Sequence, residues 1–237
     1  MALSPAHQLS IRGARDMIPM LVGAAPFGII FGALASASGL AAGHSMMMSA
    51  IVFAGSSQFI ATGLIASHTS LIIIWLTTFI VNLRHALYGA SLLPHVKHLP
   101  LRWRILLSGV LTDEAYAVMI GHYRSEKDHT QSHWYFLGAA FAMYFNWLLC
   151  TLIGVLFGQA FPGLDGLGLD FAMAVTFISI VVPQLVSKPK LLAALVSAVL
   201  SVVTIAWPYK LGLMTAITCG VLTGMLCHHL LKKGATQ

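Results

Sequence analysis

The amino-acid sequence predicts an all-α fold, that of a polytopic helical membrane protein with about seven to eight transmembrane helices. The chain of 237 residues is 58% hydrophobic and only 8% charged, whereas about a quarter of the residues of a soluble domain are charged. Several apolar runs reach the roughly 18 residues that a membrane helix needs, and short polar breaks separate them. Because no stretch is left for a soluble domain, residues 1–237 are predicted to form a single integral membrane domain.

Eight apolar segments are the candidate spans. They are Met17–Gly39, Ser45–Ala66, Ser70–Leu93, Trp103–Gly121, Trp134–Phe161, Phe171–Val186, a segment from about Leu191 to Trp207, and Leu211–Leu231. The Pro and Gly residues of the first segment predict a kinked or interrupted helix. Gly55-Ser56-Ser57-Gln58 predicts that the second segment is a broken helix, which membrane depth permits only where protein or a water-filled cavity satisfies the freed backbone groups.

The third segment carries the polar residues Asn82, Arg84 and His85. At a rise of about 1.5 Å per residue, Arg84 lies about 20 Å from the start of the segment. An ionisable group at this depth is a functional-site hypothesis, because its insertion needs a compensating partner. The alternative, that Arg84 belongs to a structural ion pair, stays open at this point.

The fourth segment contains two adjacent carboxyl groups, Asp113 and Glu114, directly after Thr112. Neighbouring residues project about 100° apart around a helix. We therefore expect only one of the two carboxyl groups to face any given partner.

Basic residues indicate the orientation in the membrane. The pI near 9.4 arises from loop and terminal Lys and Arg, so we interpret it as a topology signal and not as nucleic-acid binding. The positive-inside rule favours both termini inside with eight spans, but this arrangement puts the basic loop Pro94–Arg104 outside. Either one early segment is re-entrant or this loop breaks the rule, and seven and eight spans both remain open.

A shift of 126 residues suggests an internal repeat. It places Gly28–Gly32 on Gly154–Gly158, Gln58 on Gln184, and Arg84 on Lys210. We predict three-helix repeats with broken helices over 17–93 and 143–218, an organisation common among transporters. A single helix between the two units implies parallel repeats.

Four motifs occur in one order along the first half of the chain. They are Pro26-Phe27-Gly28, Phe53-Ala54-Gly55-Ser56-Ser57-Gln58-Phe59, Asn82-Leu83-Arg84-His85 and Thr112-Asp113-Glu114. In this order they resemble the AzlC family, the large subunit of bacterial branched-chain amino acid exporters of the YgaZ and BrnF type. The likeness covers about Met17–Glu114 by motif, and the remainder by length and hydropathy.

The resemblance implies a secondary exporter of valine, leucine and isoleucine, with methionine as a further candidate, in the bacterial cytoplasmic (inner) membrane. It also implies proton coupling and a small, separately encoded membrane subunit of the AzlD type. The absence of a GxxxxGK[ST] motif agrees with transport that is not driven by ATP. The cysteines lie in apolar runs without CxxC spacing, so we expect no disulfide, no metal and no cofactor.

The polar residues of the spans suit an amino acid substrate. Arg84 is expected to bind its carboxylate, and Asp113 or Glu114 its ammonium group. Further candidates for substrate binding are Ser56, Ser57, Gln58, Asn82 and, if the repeat holds, Gln184; candidates for proton relay are His85, Asp113 and Glu114. Each candidate also has a structural alternative: an Arg84–Asp113 salt bridge that fixes packing, hydrogen bonds between helices at Ser56–Gln58, or a hydrogen-bonded packing role for His85.

Two other classes of function compete with export. An intramembrane enzyme would use Asp113, Glu114, His85 or the serines, but the chain contains neither GxSxG nor HExxH. A non-transporting membrane assembly subunit would suit the many small residues of the spans. Such a subunit would not require Arg84 and Asp113 to be buried.

Overall fold

The computed structural model describes residues 4–126, 129–160, 178, 182, 185–207 and 211–234, and these contain helices and no strand. The helices are α1 (Pro5–Asp16), α2 (Ile18–Ala37), α3 (Ala42–Met47) with a following π-helical turn (Met48–Val52), α4 (Gly55–Ala66), α5 (Leu71–Val96), α6 (Leu101–Gly109), α7 (Asp113–Ser125), α8 (Ser132–Ala160), α9 (Lys188–Val203) and α10 (Leu211–Gly234). The predicted all-α class is confirmed. Among the described residues four stretches are long and apolar enough to cross a membrane: Ile18–Ala37, Leu71–Val96, Ser132–Gly158 and Leu211–Lys232.

The chain divides into two compact units. Unit 1 comprises Met1–His68 and Thr78–Leu169, and unit 2 comprises Thr69–Thr77 and Asp170–Gln237. All of the described candidate site residues belong to unit 1.

In unit 1, α1 and α2 lie along α8 and run in the same direction. The Ser10 hydroxyl donates to the carbonyl oxygen of Trp134 at the start of α8, and Asn146 donates to the carbonyl oxygen of Leu21 further along. Near the far end of α8, Gly158 packs on Ser36. Residue numbers therefore rise together along both sides of the interface, which identifies a parallel pair.

Glycines allow the backbones of α2 and α8 to touch. A Cβ atom at Gly32 would collide with the carbonyl oxygen of Thr151, and one at Gly154 would collide with that of Ile29. Gly28 likewise faces Cys150, since an added Cβ would lie 2.7 Å from the Cys150 Cβ. Small residues that bring helix backbones together are the usual means of association inside a membrane, where lipid is as apolar as the side chains.

The second predicted segment turns back on itself. α3 and the π-helical turn run beside α8, where the hydroxyl oxygens of Ser49 and Thr151 are 2.7 Å apart. Phe53, whose backbone is in the left-handed region at φ 43°, packs on Tyr144. Gln58 then returns to Ser49, with its Nε2 atom 2.9 Å from the hydroxyl. In a continuous helix these two residues would be about 13 Å apart along the axis, so α3 and α4 form a hairpin.

The fourth predicted segment is also a hairpin, and the prediction of one continuous helix over Trp103–Gly121 is wrong. The helix breaks at residues 110–112, between α6 and α7. Trp103 on α6 packs against Trp134 at the start of α8, with 4.9 Å between ring centroids. On α7, His122 returns to the same place, where its Nε2 lies 3.0 Å from the Ser132 hydroxyl.

The second hairpin follows α5. Arg84 pairs with Asp113, Tyr88 stacks on Tyr116 at 4.5 Å, and His95 stacks on Tyr123 at 4.1 Å. α5 and α7 therefore run parallel, and both end where α8 begins.

The reversals bring most of the Lys and Arg residues of unit 1 to one end, whereas Arg84 lies in the middle of α5. Arg12 of α1, the α5–α6 turn with Lys97 and Arg102, and the end of α7 with Arg124 all lie at the end where α8 begins. The connections 38–41 and 67–70, which flank the first hairpin, contain no Lys or Arg.

The described part of unit 2 is an antiparallel pair, α9 and α10. Gly212 packs on Thr204 and Gly224 on Ala193, while the Ser197 hydroxyl donates to the carbonyl oxygen of Ala216. Small residues again allow close approach of the two helices.

Some boundaries differ from those predicted, and some predictions fall outside the described residues. Pro94 does not end α5, which continues to Val96; a proline one turn from a helix end leaves little further helix to disturb. The sixth predicted segment and the end of the proposed repeat over 143–218 include residues that are not described, so the repeat stays a prediction. Its matched stretches, Gly28–Gly32 and Gly154–Gly158, pack directly on each other.

Candidate functional site

The break in the first hairpin leaves a helix N-terminus inside unit 1. The predicted break lies two residues earlier than expected, at Phe53–Ala54, so Gly55–Gln58 form the first turn of α4. No side chain caps this turn, and the Ser56 hydroxyl is buried without a hydrogen-bond partner. Uncapped N–H groups and the positive end of a helix dipole favour an anion at this place.

Ser57 and Gln58 connect the first turn of α4 to its neighbours. The Ser57 hydroxyl donates to Asn82 Oδ1 on α5 at 2.6 Å. Gln58 is fully buried; its amide donates to Ser49, and its oxygen accepts from Trp147 Nε1 on α8 at 3.0 Å. In this conformation the Gln58 side chain holds the hairpin on α8.

Arg84 and Asp113 form an ion pair between α5 and α7. Arg84 Nη1 donates to Asp113 Oδ2 at 2.6 Å, and 27% and 37% of the two side chains are exposed. Each partner keeps a buried atom that makes no hydrogen bond, Arg84 Nε and Asp113 Oδ1. Buried polar atoms normally find partners, so this pair has unused hydrogen-bonding capacity on both the cationic and the anionic side.

The second break explains how two adjacent carboxyl groups are tolerated. Thr112 is the N-cap of α7 and its hydroxyl accepts from the Ala115 N–H at 3.2 Å. Asp113 and Glu114 therefore occupy the first turn, where negative charge is stabilised by the helix dipole. As expected, they diverge: Asp113 bonds to Arg84 and Glu114 does not.

His85 lies beside this pair and is half-buried. Its Nδ1 atom is 3.1 Å from the carbonyl oxygen of Asn82. Because that oxygen only accepts, the contact holds a proton on Nδ1 and leaves Nε2 as the basic nitrogen.

One turn of α5 joins the two breaks. Asn82 contacts the first hairpin and Arg84 the second, and two residues correspond to a rise of about 3 Å. Arg84 is the fourteenth residue of the 26-residue α5, about 20 Å from either end of a helix of that length. Ser57, Asn82, Arg84 and Asp113 therefore lie near one level of α5. Asn82 and Arg84 project from different sides of that helix, because two residues correspond to a rotation of about 200°. Gln184 lies outside the described residues.

The partners that hold the hairpins were not predicted from the sequence. Ser49, Trp147 and Thr151 form a buried network with Gln58, and Tyr88 stacks on Tyr116 next to the ion pair. Trp147 stands one residue after Asn146 in an apolar span, and its indole N–H needs a partner when buried. The need of a buried indole N–H for an acceptor was therefore the sequence signal for this network.

Comparison with known proteins identifies the family. The model of the AzlC protein family matches residues 19–161, which contain both hairpins, α5 and all of α8. The chain belongs to the AzlC family. It is a membrane protein. Three of the four motifs that predicted this resemblance lie at the structural breaks or on α5, and the fourth, Pro26-Phe27-Gly28, lies within α2.

Two curated relatives span most of the chain. The inner membrane protein YgaZ of Escherichia coli is 29% identical over 94% of this chain and 92% of its own length. The branched-chain amino acid transport protein AzlC of Bacillus subtilis is 27% identical over 79% of this chain and 72% of its own length. No solved structure matches the chain.

Proposed function

We propose that this AzlC-family protein exports branched-chain amino acids, namely valine, leucine, isoleucine and also methionine, by a secondary, proton-coupled mechanism. The observation that carries the proposal is the Arg84–Asp113 pair, whose partners both retain unused hydrogen-bonding capacity at a break between half-helices. Similarity to the branched-chain amino acid transport protein AzlC of Bacillus subtilis supports the same class of substrate.

The two hairpins are proposed to be re-entrant, entering the membrane from opposite sides. α2, α5 and α8 then cross the membrane, and the basic end of unit 1 faces the cytoplasm, as the positive-inside rule requires. This topology supports a site near the middle of the bilayer, because broken helices at that depth are where secondary transporters bind their substrates.

Each group of the substrate has a candidate partner. Its carboxylate binds the first turn of α4 and the Ser56 hydroxyl, with Arg84 as the second cationic contact. Its ammonium group binds Asp113 Oδ1, the atom that the ion pair leaves unused. Asn82 and Ser57 position the α4 turn, and Glu114 lies one residue from the ammonium site.

Proton coupling is assigned to the Asp113 carboxyl group, with Glu114 and His85 as relay candidates. Protonation of Asp113 weakens its bond to Arg84 and removes the counter-charge of the ammonium group. Proton entry therefore favours release of the substrate, and this competition links the two fluxes. A small AzlD-like membrane subunit is proposed to complete the exporter.

Efflux from proteoliposomes tests this function. Vesicles that contain the chain, alone or with the AzlD-like subunit, are loaded with labelled leucine and given an imposed pH gradient. We expect saturable efflux that accelerates with the gradient and falls at least tenfold in Arg84→Ala, since a lost charged hydrogen bond corresponds to about one order of magnitude or more. Arg124→Ala, at an exposed arginine of α7, is the matched control and should transport normally.

Negative results separate the alternatives. Efflux that neither saturates nor responds to the gradient indicates a passive channel. No efflux from folded protein in both preparations favours the assembly-subunit class, and turnover of substrate without any gradient favours an enzyme.

A further inference from the structure

A cleft opens between α5, α6 and α8, and its lining includes neither Arg84 nor Asp113. Its volume is about 330 Å³. Its walls are apolar, with Leu92 and Val96 from α5, Leu107 from α6 and Phe136 from α8. At its mouth, Leu101 and Ile105 are 62% and 61% exposed, so the cleft opens sideways where a membrane protein meets acyl chains.

One wall of the cleft carries a cation. Arg104 lines it, and the Arg104 Nε atom is buried without a hydrogen-bond partner. Among the described residues the ion pairs join Arg12 to Asp16 and Glu126, and Arg84 to Asp113. No described carboxylate forms an ion pair with Arg104, so its charge is available to an anionic group of another molecule.

The residues that line the cleft indicate which kind of molecule could bind there. Arg104 is the charged residue of its lining, and apart from Ser108 the other side chains are apolar. Lys97, His98 and Arg102 follow or precede lining residues in the chain. An occupant therefore needs a negative head group and an apolar tail. The basic end of unit 1 is the end that faces the cytoplasm in the proposed topology, and anionic lipids are concentrated in that leaflet.

We infer that the cleft between α5, α6 and α8 binds one anionic phospholipid, with its phosphate on Arg104 and an acyl chain between Leu92 and Phe136. This inference does not depend on what the protein transports. It also assigns a role to the basic segment Pro94–Arg104, which is not part of the site at Arg84.

Native mass spectrometry of the purified full chain tests the inference. The protein in detergent is titrated with phosphatidylglycerol and with phosphatidylcholine of the same acyl chains. We expect one tightly bound phosphatidylglycerol, with an affinity about tenfold or more above that for phosphatidylcholine, as expected for a charged hydrogen bond. Arg104→Gln should reduce this preference to about twofold or less, and Arg124→Gln should leave it intact.

A second pair of variants tests the acyl-chain part of the site. An added Cβ at Gly89, which lines the cleft, meets no atom within 4 Å, so Gly89→Leu can fill the cleft without a clash. We expect it to weaken binding of both lipids. Gly121→Leu, at an equally open glycine of α7, is the control and should bind as the parent does.

Three results would overturn the inference. One is an unchanged preference for phosphatidylglycerol in Arg104→Gln protein whose unfolding temperature equals that of the parent. Another is equal binding of the two lipids by the parent. The third is displacement of phosphatidylglycerol by glycerol 3-phosphate at similar concentration, which would assign Arg104 to a soluble phosphate and not to a lipid.

Discussion

The Arg84–Asp113 pair offers a test that separates a transport role from a packing role. Arg84→Gln and Asp113→Asn are made singly and together, so that each single variant leaves one charge without its partner and the double variant leaves none. If the pair has only a packing role, removal of both charges should destabilise the protein less than removal of one charge, which leaves the other unpaired. A substrate site loses function in all three variants.

The expected stability changes follow from the geometry. Loss of one partner of a fully buried pair costs about 3–5 kcal/mol, and exposed pairs contribute about 0–1 kcal/mol. Because 27% of Arg84 and 37% of Asp113 are exposed, we expect about 1–2 kcal/mol for each single variant. For a chain of this size that corresponds to a fall in Tm of about 3–6 °C.

The assays are thermal unfolding in detergent, followed by tryptophan fluorescence, and leucine efflux from vesicles. In the double variant we expect less destabilisation than the sum of the singles, by about 1 kcal/mol, but no export. Arg12→Gln is the control: Arg12 contacts Glu126 at 2.5 Å, yet 52% of Arg12 is exposed, so we expect a change below about 1 kcal/mol. Normal export by the double variant would refute the assignment of a substrate site, and normal export by all three would refute any role of the pair in transport.

Three further predictions concern the scaffold. Gly154→Ala should destabilise the protein by about 1–3 kcal/mol, because the added Cβ would collide with a carbonyl oxygen of α2. Gly23→Ala, with open space around the added Cβ, is the control and should be neutral or stabilising. Thermal unfolding of both variants measures the difference in Tm. Trp147→Phe leaves the buried Gln58 oxygen without its hydrogen-bond donor and should lower the free energy of unfolding by about 1–3 kcal/mol. The double variant Trp147→Phe/Gln58→Leu should regain part of this stability, because it no longer buries an unpaired oxygen. Burial lowers the pKa of His122, so the unfolded state takes up the proton first and stability should fall as the pH drops below about 6.5. His122→Gln should show a smaller loss of Tm between about pH 7.5 and 5.5, and an equal loss would contradict this origin.

The sequence was informative where polar residues interrupt apolar runs. Gly55–Gln58 predicted a broken helix, and the break lies at Phe53–Ala54 because Gly55 begins the new helix. The second break was missed, although Thr112 followed by two carboxylates is a typical N-terminal signal of a helix. The two carboxyl groups were interpreted as a costly pair inside a span, when their position in the first turn of α7 lowers that cost.

The reversals of the chain could not be predicted from hydropathy. A hydrophobic run shows that a segment can enter the membrane and does not show on which side it leaves. The reversal at Phe53 depends on tertiary contacts with Tyr144 and Trp147, about 90 residues later in the chain. The distribution of Lys and Arg left two alternatives open, a re-entrant early segment or a loop at Pro94–Arg104 that breaks the positive-inside rule.

The direct backbone contact between α2 and α8 has a consequence for motion. Two helices whose glycines admit no atom between them cannot slide or rock against each other without collision, so they form one stationary body. Among the described residues no glycine of the hairpins meets a neighbouring backbone in this way. The first hairpin is held on α8 by Gln58 and on α5 by Ser57, and α7 is held on α5 by Arg84, in each case through side-chain hydrogen bonds. We expect the displacement during a transport cycle to fall to the hairpins, with α2 and α8 as the fixed frame against which they move.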